Sequence, residues 1–348
     1  MSEKRNHSID IARGFAILFV ILGHMPATPE LLKIWIFSFH IPLFFILSGM
    51  VTNFDKHPRF SSFLISRIRS LVIPYFSLNF ILLLVSSVRD LLKARALPPS
   101  EVYANALIGI FIAYRRTLLY YSLWFVCSLF LSELAVFFIV KKLRSARLLC
   151  LVSIAAIFLQ FFVFDYLKID GSPWSIDTVP AGAAFLCVGQ ILRQNAAHLK
   201  KICSIRWLLP ACAVSGLAAG INFHHHALTD LCMCNIGNPV YYFIAAISGS
   251  WVILIISDLL GRHPVLEYLG CRSIVIYAFQ NAFGIPVSED LAAFLSAHHR
   301  LFGDPVVIWL IEAITATAVC AVIAALICRF LPWAVGRKAR PDAAVRTY

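Results

Sequence analysis

The sequence predicts an all-α, polytopic transmembrane helix bundle of about ten spans with both termini cytoplasmic, and three observations carry that expectation. The 348 residues are 60% apolar and 14% charged, at a mean hydropathy of +0.81; one soluble core of this length cannot hide so much hydrophobic side chain. Ten apolar runs reach or approach the roughly 20 helical residues that cross about 30 Å of hydrocarbon. They fall near 9–28, 34–52, 70–88, 118–140, 148–164, 178–192, 207–223, 239–260, 265–287 and 306–335. Placing the N-terminus inside puts 22 of the 30 Lys and Arg on the cytoplasmic side, where basic residues beside a span stay, and an even number of spans returns the C-terminus there. The run at 178–192 is short, and 103–114 is shorter still, an interfacial or re-entrant piece, so nine or eleven spans also fit. The net charge of +12 follows from this topology and from contact with anionic membrane lipids. No RNA- or DNA-binding motif is present, and nucleic acid is excluded as a partner.

Span 1 carries Asp10, Arg13 and His24 within DIARGFAILFVILGH, residues 10–24. It lacks a small-residue cleavage pattern and runs on into a second hydrophobic segment, so it reads as a retained helix rather than a signal peptide. Arg13 and His24 are 11 residues apart, which returns a helix to within about 20° of the same face about 16 Å further along. Ionisable residues inside a bilayer are costly and by default mark a functional site facing the bundle interior; the plainer readings are a snorkelling anchor for Arg13 and a buried, hydrogen-bonded ring for His24. Span 2, FSFHIPLFFILSG, brings His40 and Pro42 to its outer start and Ser48 and Gly49 deep into it. Two imidazoles from neighbouring helices thus approach one outer-leaflet level, an arrangement suited to proton transfer. RFSSFLISRIRSLVIPY then leads into span 3 with Arg67, Arg69, Pro74 and Tyr75. This is either ordinary positive-inside charge or a guanidinium clamp for a phosphate-bearing ligand.

Further along, Trp124 suits packing, an interface belt or a cavity wall. Glu133, in mid-span, needs a partner on a neighbouring helix or a catalytic role, and Asp177 is expected to cap the next helix. The ten cysteines lie mostly within spans, where a thiol is a small buried hydrophobe. NFHHHALTDLCMCN, 222–235, invites a metal, but consecutive histidines splay round a helix and C-x-C is not a usual zinc spacing, so none is expected. No repeat or soluble domain is visible: 1–335 reads as one membrane domain and 336–348 as a basic cytoplasmic tail.

IDIARGFAILFVILGH, FHIPLFFILSGM, SRIRSLVIPY, SLWFVCSLF and YLGCRSIVIYAFQ resemble, in order and spacing, the acyltransferase-3 family of multi-pass membrane acyltransferases, in particular its sugar O-acetyltransferase branch. The resemblance spans most of the chain, and the family's pattern of Arg, ten residues and His falls on Arg13 and His24. It implies a helical bundle around a cavity in a bacterial inner membrane. The reaction implied moves an acyl group, acetyl before others, from cytoplasmic acyl-CoA to a hydroxyl of a cell-surface polysaccharide or lipid-linked sugar. Under that resemblance His24 is the general base, with Arg13 and His40 as further catalytic candidates. Arg67, Arg69, Asp10 and Tyr75 would bind the acetyl-CoA donor, while Ser48, Trp124, Glu133 and Asp177 are candidates for the substrate cavity. No metal is called for, and a homo-oligomer is compatible.

The chain departs from the family pattern in two places. Arg67 and Arg69 are two residues apart, where the family has three, and about 200° round a helix, so both face one ligand only if the segment is partly unwound. Gln280 and Asn281 stand where the family often has His. The alternative function is a secondary transporter or flippase for a glycolipid or sugar, although the related halves of such proteins are not visible.

Overall fold

The computed structural model describes residues 6–94, 100–115, 123–169, 171–298 and 304–336, and among them every regular element is helical. The cause is the solvent: in hydrocarbon each peptide group must find its partner inside its own segment. In chain order the helices begin with α1 (His7–His24) and α2 (Glu30–Val51). Helix α3 (Phe60–Arg67) passes through a π-helical turn, Ile68–Val72, into α4 (Ile73–Ala94), and α5 (Ser100–Ile112) is the short apolar helix expected at 103–114. There follow α6 (Trp124–Lys142), α7 (Ala146–Leu159), α8 (Val179–Gln194), α9 (Ala196–Ile202), α10 (Leu208–His226) and α11 (Pro239–Leu260). The last are α12 (Pro264–Cys271), α13 (Ser273–Phe279), a third π turn at Gln280–Gly284 after the one at Gln160–Asp165 that follows α7, then α14 (Ile285–His298) and α15 (Pro305–Phe330).

Nine helical segments among the described residues are long and apolar enough to cross a membrane, and nine of the ten expected runs coincide with them. The tenth, 265–287, is broken at Arg272, whose guanidinium lies 3.9 Å from the centre of the Tyr268 ring. Helix α15 turns Val306, Leu310, Ile314, Val322, Leu326 and Phe330 outward, a surface that only lipid can cover at low cost. The chain is an integral, multi-pass membrane protein. The basic tail expected at 336–348 lies, after Gly336, outside the described residues.

Helices α1 and α2 form the centre: α1 packs against α2, α11, α12 and α13, and α2 against α8 and α11. Two crossings depend on missing side chains. At the first, a methyl group on Gly14 would overlap the Leu266 carbonyl and one on Gly270 the Asp10 carbonyl; at the second, Gly49 and Gly189 meet the backbone of the facing helix in the same way. Small residues let membrane helices approach to backbone contact, and the first crossing fixes the α1 turn that carries Asp10 and Arg13. Gly270→Leu is therefore expected to lower stability by about 3 kcal/mol, read as a fall in melting temperature. Gly216→Leu, into open space on α10, should change little. Equal effects from the two would mean that the first crossing is loose. Gly336 rests on the Arg69 carbonyl, so both ends of the described chain lie at one end of the bundle, called here its N-terminal end.

Candidate active site

At the N-terminal end a cavity of about 420 Å³ opens between α1, α2, α6, α13 and the first π turn. Its walls follow helical stripes. Helix α2 contributes Ile41, Phe44, Ser48 and Val51, and α6 contributes Phe125, Leu129 and Glu133, at the three- and four-residue steps that keep to one helix face. Asp10 and Arg13 enter from α1, Arg67 and Ser70 from the π turn, and Cys271, Ser273 and Tyr277 from the broken run.

Two ion pairs set the charge of this cavity. Glu133 is fully buried, and its carboxylate accepts from Arg67 Nη1 at 3.2 Å, from Ser48 Oγ at 2.7 Å and from Thr52 Oγ1 at 3.3 Å. Arg13 stands 3.8 Å from Asp10, one turn away on the same helix. Each guanidinium is thus held beside a carboxylate; Arg67 Nη2 also donates to Ser66 Oγ at 3.4 Å, and its Nε is buried without a hydrogen-bond partner. A cavity wall with two such forks is suited to phosphate or carboxylate groups, which guanidinium binds through paired N–H donors.

Beyond the cavity, at the far end of the bundle, stand the two histidines. Phe37 lies between them, its ring 5.8 Å from that of His24 and 5.1 Å from that of His40. Both are oriented alike: His24 Nδ1 is 2.8 Å from the Val20 carbonyl and His40 Nδ1 is 2.8 Å from the Ile36 carbonyl. A carbonyl only accepts, so Nδ1 carries the proton in each neutral ring and Nε2 keeps its lone pair. His40 is buried, whereas His24 is exposed at the end of α1. The loop after α10 brings Asp230 into electrostatic range of His24; burial pushes the Asp230 carboxyl above its ordinary range, against the Cys232 N–H and the nearby His24. Part of the cavity wall is aromatic, with Phe125 5.7 Å from Phe44 and 6.0 Å from Tyr277.

The structure gathers Asp10, Arg13, Ser48, Arg67 and Glu133 around one cavity and sets His24 and His40 together at the other end. Four candidates lie elsewhere. Tyr75 is buried and donates to the Ile110 carbonyl at 2.9 Å, which ties α4 to α5 away from the cavity lining. Arg69 is exposed on the side of the π turn opposite the cavity wall formed by Arg67, Ser70 and Leu71, so the turn does not bring the two arginines together. Asp177 caps no helix: its buried carboxylate pairs with Arg115 and accepts the Ser172 N–H at 2.9 Å. Trp124 lies buried 5.9 Å from that same Arg115 guanidinium. The sequence reading missed Tyr277 and Cys271 on the cavity wall and Asp230 near His24, because only the break at Arg272 and the fold of the loop after α10 bring them there.

A sequence profile of the acyltransferase-3 family, described as an acyltransferase domain, matches residues 6–325. No curated protein and no solved structure matches the chain. With a match over nearly its whole length, the chain belongs to the acyltransferase-3 family and is a membrane acyltransferase.

Proposed function

We propose that this acyltransferase takes acetyl-CoA as donor substrate at the N-terminal cavity and passes the acetyl group to a carbohydrate hydroxyl at the far end, with His24 as general base. The observation that carries the proposal is the fixed His24 ring. Its Nδ1–H is spent on Val20, so Nε2 is the free acceptor, exposed about 16 Å along α1 from Arg13. A pantetheine arm has the bond count of about four extended residues, about 14 Å, so phosphates held at Arg13 and Arg67 leave the thioester close to His24.

In the reaction, His24 Nε2 takes the proton of the acceptor hydroxyl as its oxygen attacks the thioester carbonyl. The tetrahedral oxyanion then collapses, the C–S bond breaks, and the imidazolium returns its proton to the leaving thiolate. His40, with Nε2 also unprotonated, accepts a hydrogen bond from a second hydroxyl of the acceptor. The aromatic packing around Phe125 limits water, which would otherwise hydrolyse the thioester. The density of Lys and Arg beside the spans supports a cytoplasmic N-terminal end and, with the family, a bacterial inner membrane, where lipid-linked sugars are at hand as acceptors.

The test is acceptor-dependent release of free thiol from acetyl-CoA by the purified protein in nanodiscs, offered lipid-linked oligosaccharide or membrane glycan. Thiol release that needs both protein and acceptor is expected. No release with acetyl-, succinyl- or longer acyl-CoA, from a folded sample, would overturn the proposal.

A further inference from the structure

Gln280 is fully buried, and neither its Nε2 nor its Oε1 has a hydrogen-bond partner. A primary amide offers two N–H donors and two acceptor lone pairs; leaving all of them unpaired away from water is costly and rare enough to need an explanation. Gln280 also opens the π turn Gln280–Gly284, a distortion found mostly at functional sites. Its helical run already serves the cavity, since Ser273, Ile274 and Tyr277 line it. The three-residue step from Tyr277 carries Gln280 one turn deeper, within about 60° of the same face. From Ser273 to Gln280 the helix rises about 10 Å, against about 16 Å from Arg13 to His24.

We propose that Gln280 is a binding residue for the pantetheine arm of the donor. This rests on the reading of the cavity as the donor site. The arm carries two secondary amides between its phosphate end and its thioester, and Gln280 lies at the depth between the arginines that suit the phosphates and the histidine that suits the thioester. Paired with one of those amides, Gln280 donates an Nε2–H to the ligand carbonyl and accepts the ligand N–H on Oε1, so both orphaned atoms are satisfied at once. The nucleotide part of the donor, held outside at the arginines, does not reach it.

Binding to the full chain in nanodiscs tests this with three probes: coenzyme A, acetyl-CoA and adenosine 3′,5′-bisphosphate, which lacks the arm. Gln280→Leu should melt no lower than the parent protein without ligand. It should bind coenzyme A and acetyl-CoA about five- to tenfold more weakly and the bisphosphate equally well. Gln280→Met, unbranched and equally apolar, repeats the measurement should the leucine variant fold poorly. Unchanged coenzyme A affinity in both variants, or equal weakening for coenzyme A and bisphosphate, would overturn the inference. A parent protein that binds none of the probes would instead sink the donor-site reading on which it rests.

Discussion

His24→Ala is expected to lower acceptor-dependent acetyl transfer about 10²–10⁴-fold while coenzyme A binding stays within about twofold of the parent, less than half a kcal/mol. The split follows from geometry: the arginines proposed to bind the donor line the N-terminal cavity, whereas His24 closes the other end of α1. The ring also holds little structure, since its one hydrogen bond goes to the carbonyl of its own helix and its surface is exposed. His24→Gln, which retains a hydrogen-bonding group but no basic nitrogen, should be as inactive as the alanine variant; recovery of turnover in it would mean that His24 only orients the acceptor. His40 is buried with its Nδ1 on Ile36, so its alanine variant should mix lost turnover with lost stability.

Arg67→Ala should lower both stability and donor affinity. Glu133 is fully buried, and Arg67 is its only cation among the described ion pairs; removing one partner of a buried pair costs about 3–5 kcal/mol. The lower end applies, because the Arg67 side chain remains one-fifth exposed to the cavity. The double variant Arg67→Ala/Glu133→Gln should regain most of the lost melting temperature, since the neutral amide still accepts from Ser48, yet it should bind coenzyme A no better than Arg67→Ala. Recovery of binding together with stability would show that Arg67 acts only as a strut for Glu133. Failure of the double variant to regain stability would show that the ion pair is not what the cavity wall depends on.

Much of this was legible in the sequence, for a reason specific to membranes. A segment in lipid has no option but helix, so runs such as 34–52 and 239–260 locate α2 and α11 without further information. The cost of a charge in lipid likewise exposed Arg13, His24 and Glu133 as residues that need a partner or a task. Hydropathy does not register how helices cross, and so the run at 265–287 read as one span although Gly14 and Gly270 let α12 lie across α1 and the helix breaks at Arg272. Tyr75 and Asp177 were misplaced for a related reason: their partners, Ile110 and Arg115, are 35 and 62 residues away, with no local pattern to announce them. Spacing along a helix is a local quantity, and accordingly Arg67 and Arg69, two residues apart, face the cavity and outward respectively.

The most direct test of a donor site at one end and a base at the other is sidedness. Vesicles with the N-terminal end outward and vesicles of the opposite orientation would be given acetyl-CoA, which does not cross the bilayer, with the acceptor sugar enclosed on the other side. Acetylation of the enclosed acceptor is expected only when acetyl-CoA meets the N-terminal end, and none in His24→Ala. Equal acetylation from either face, or transfer only when donor and acceptor share one face, would contradict it.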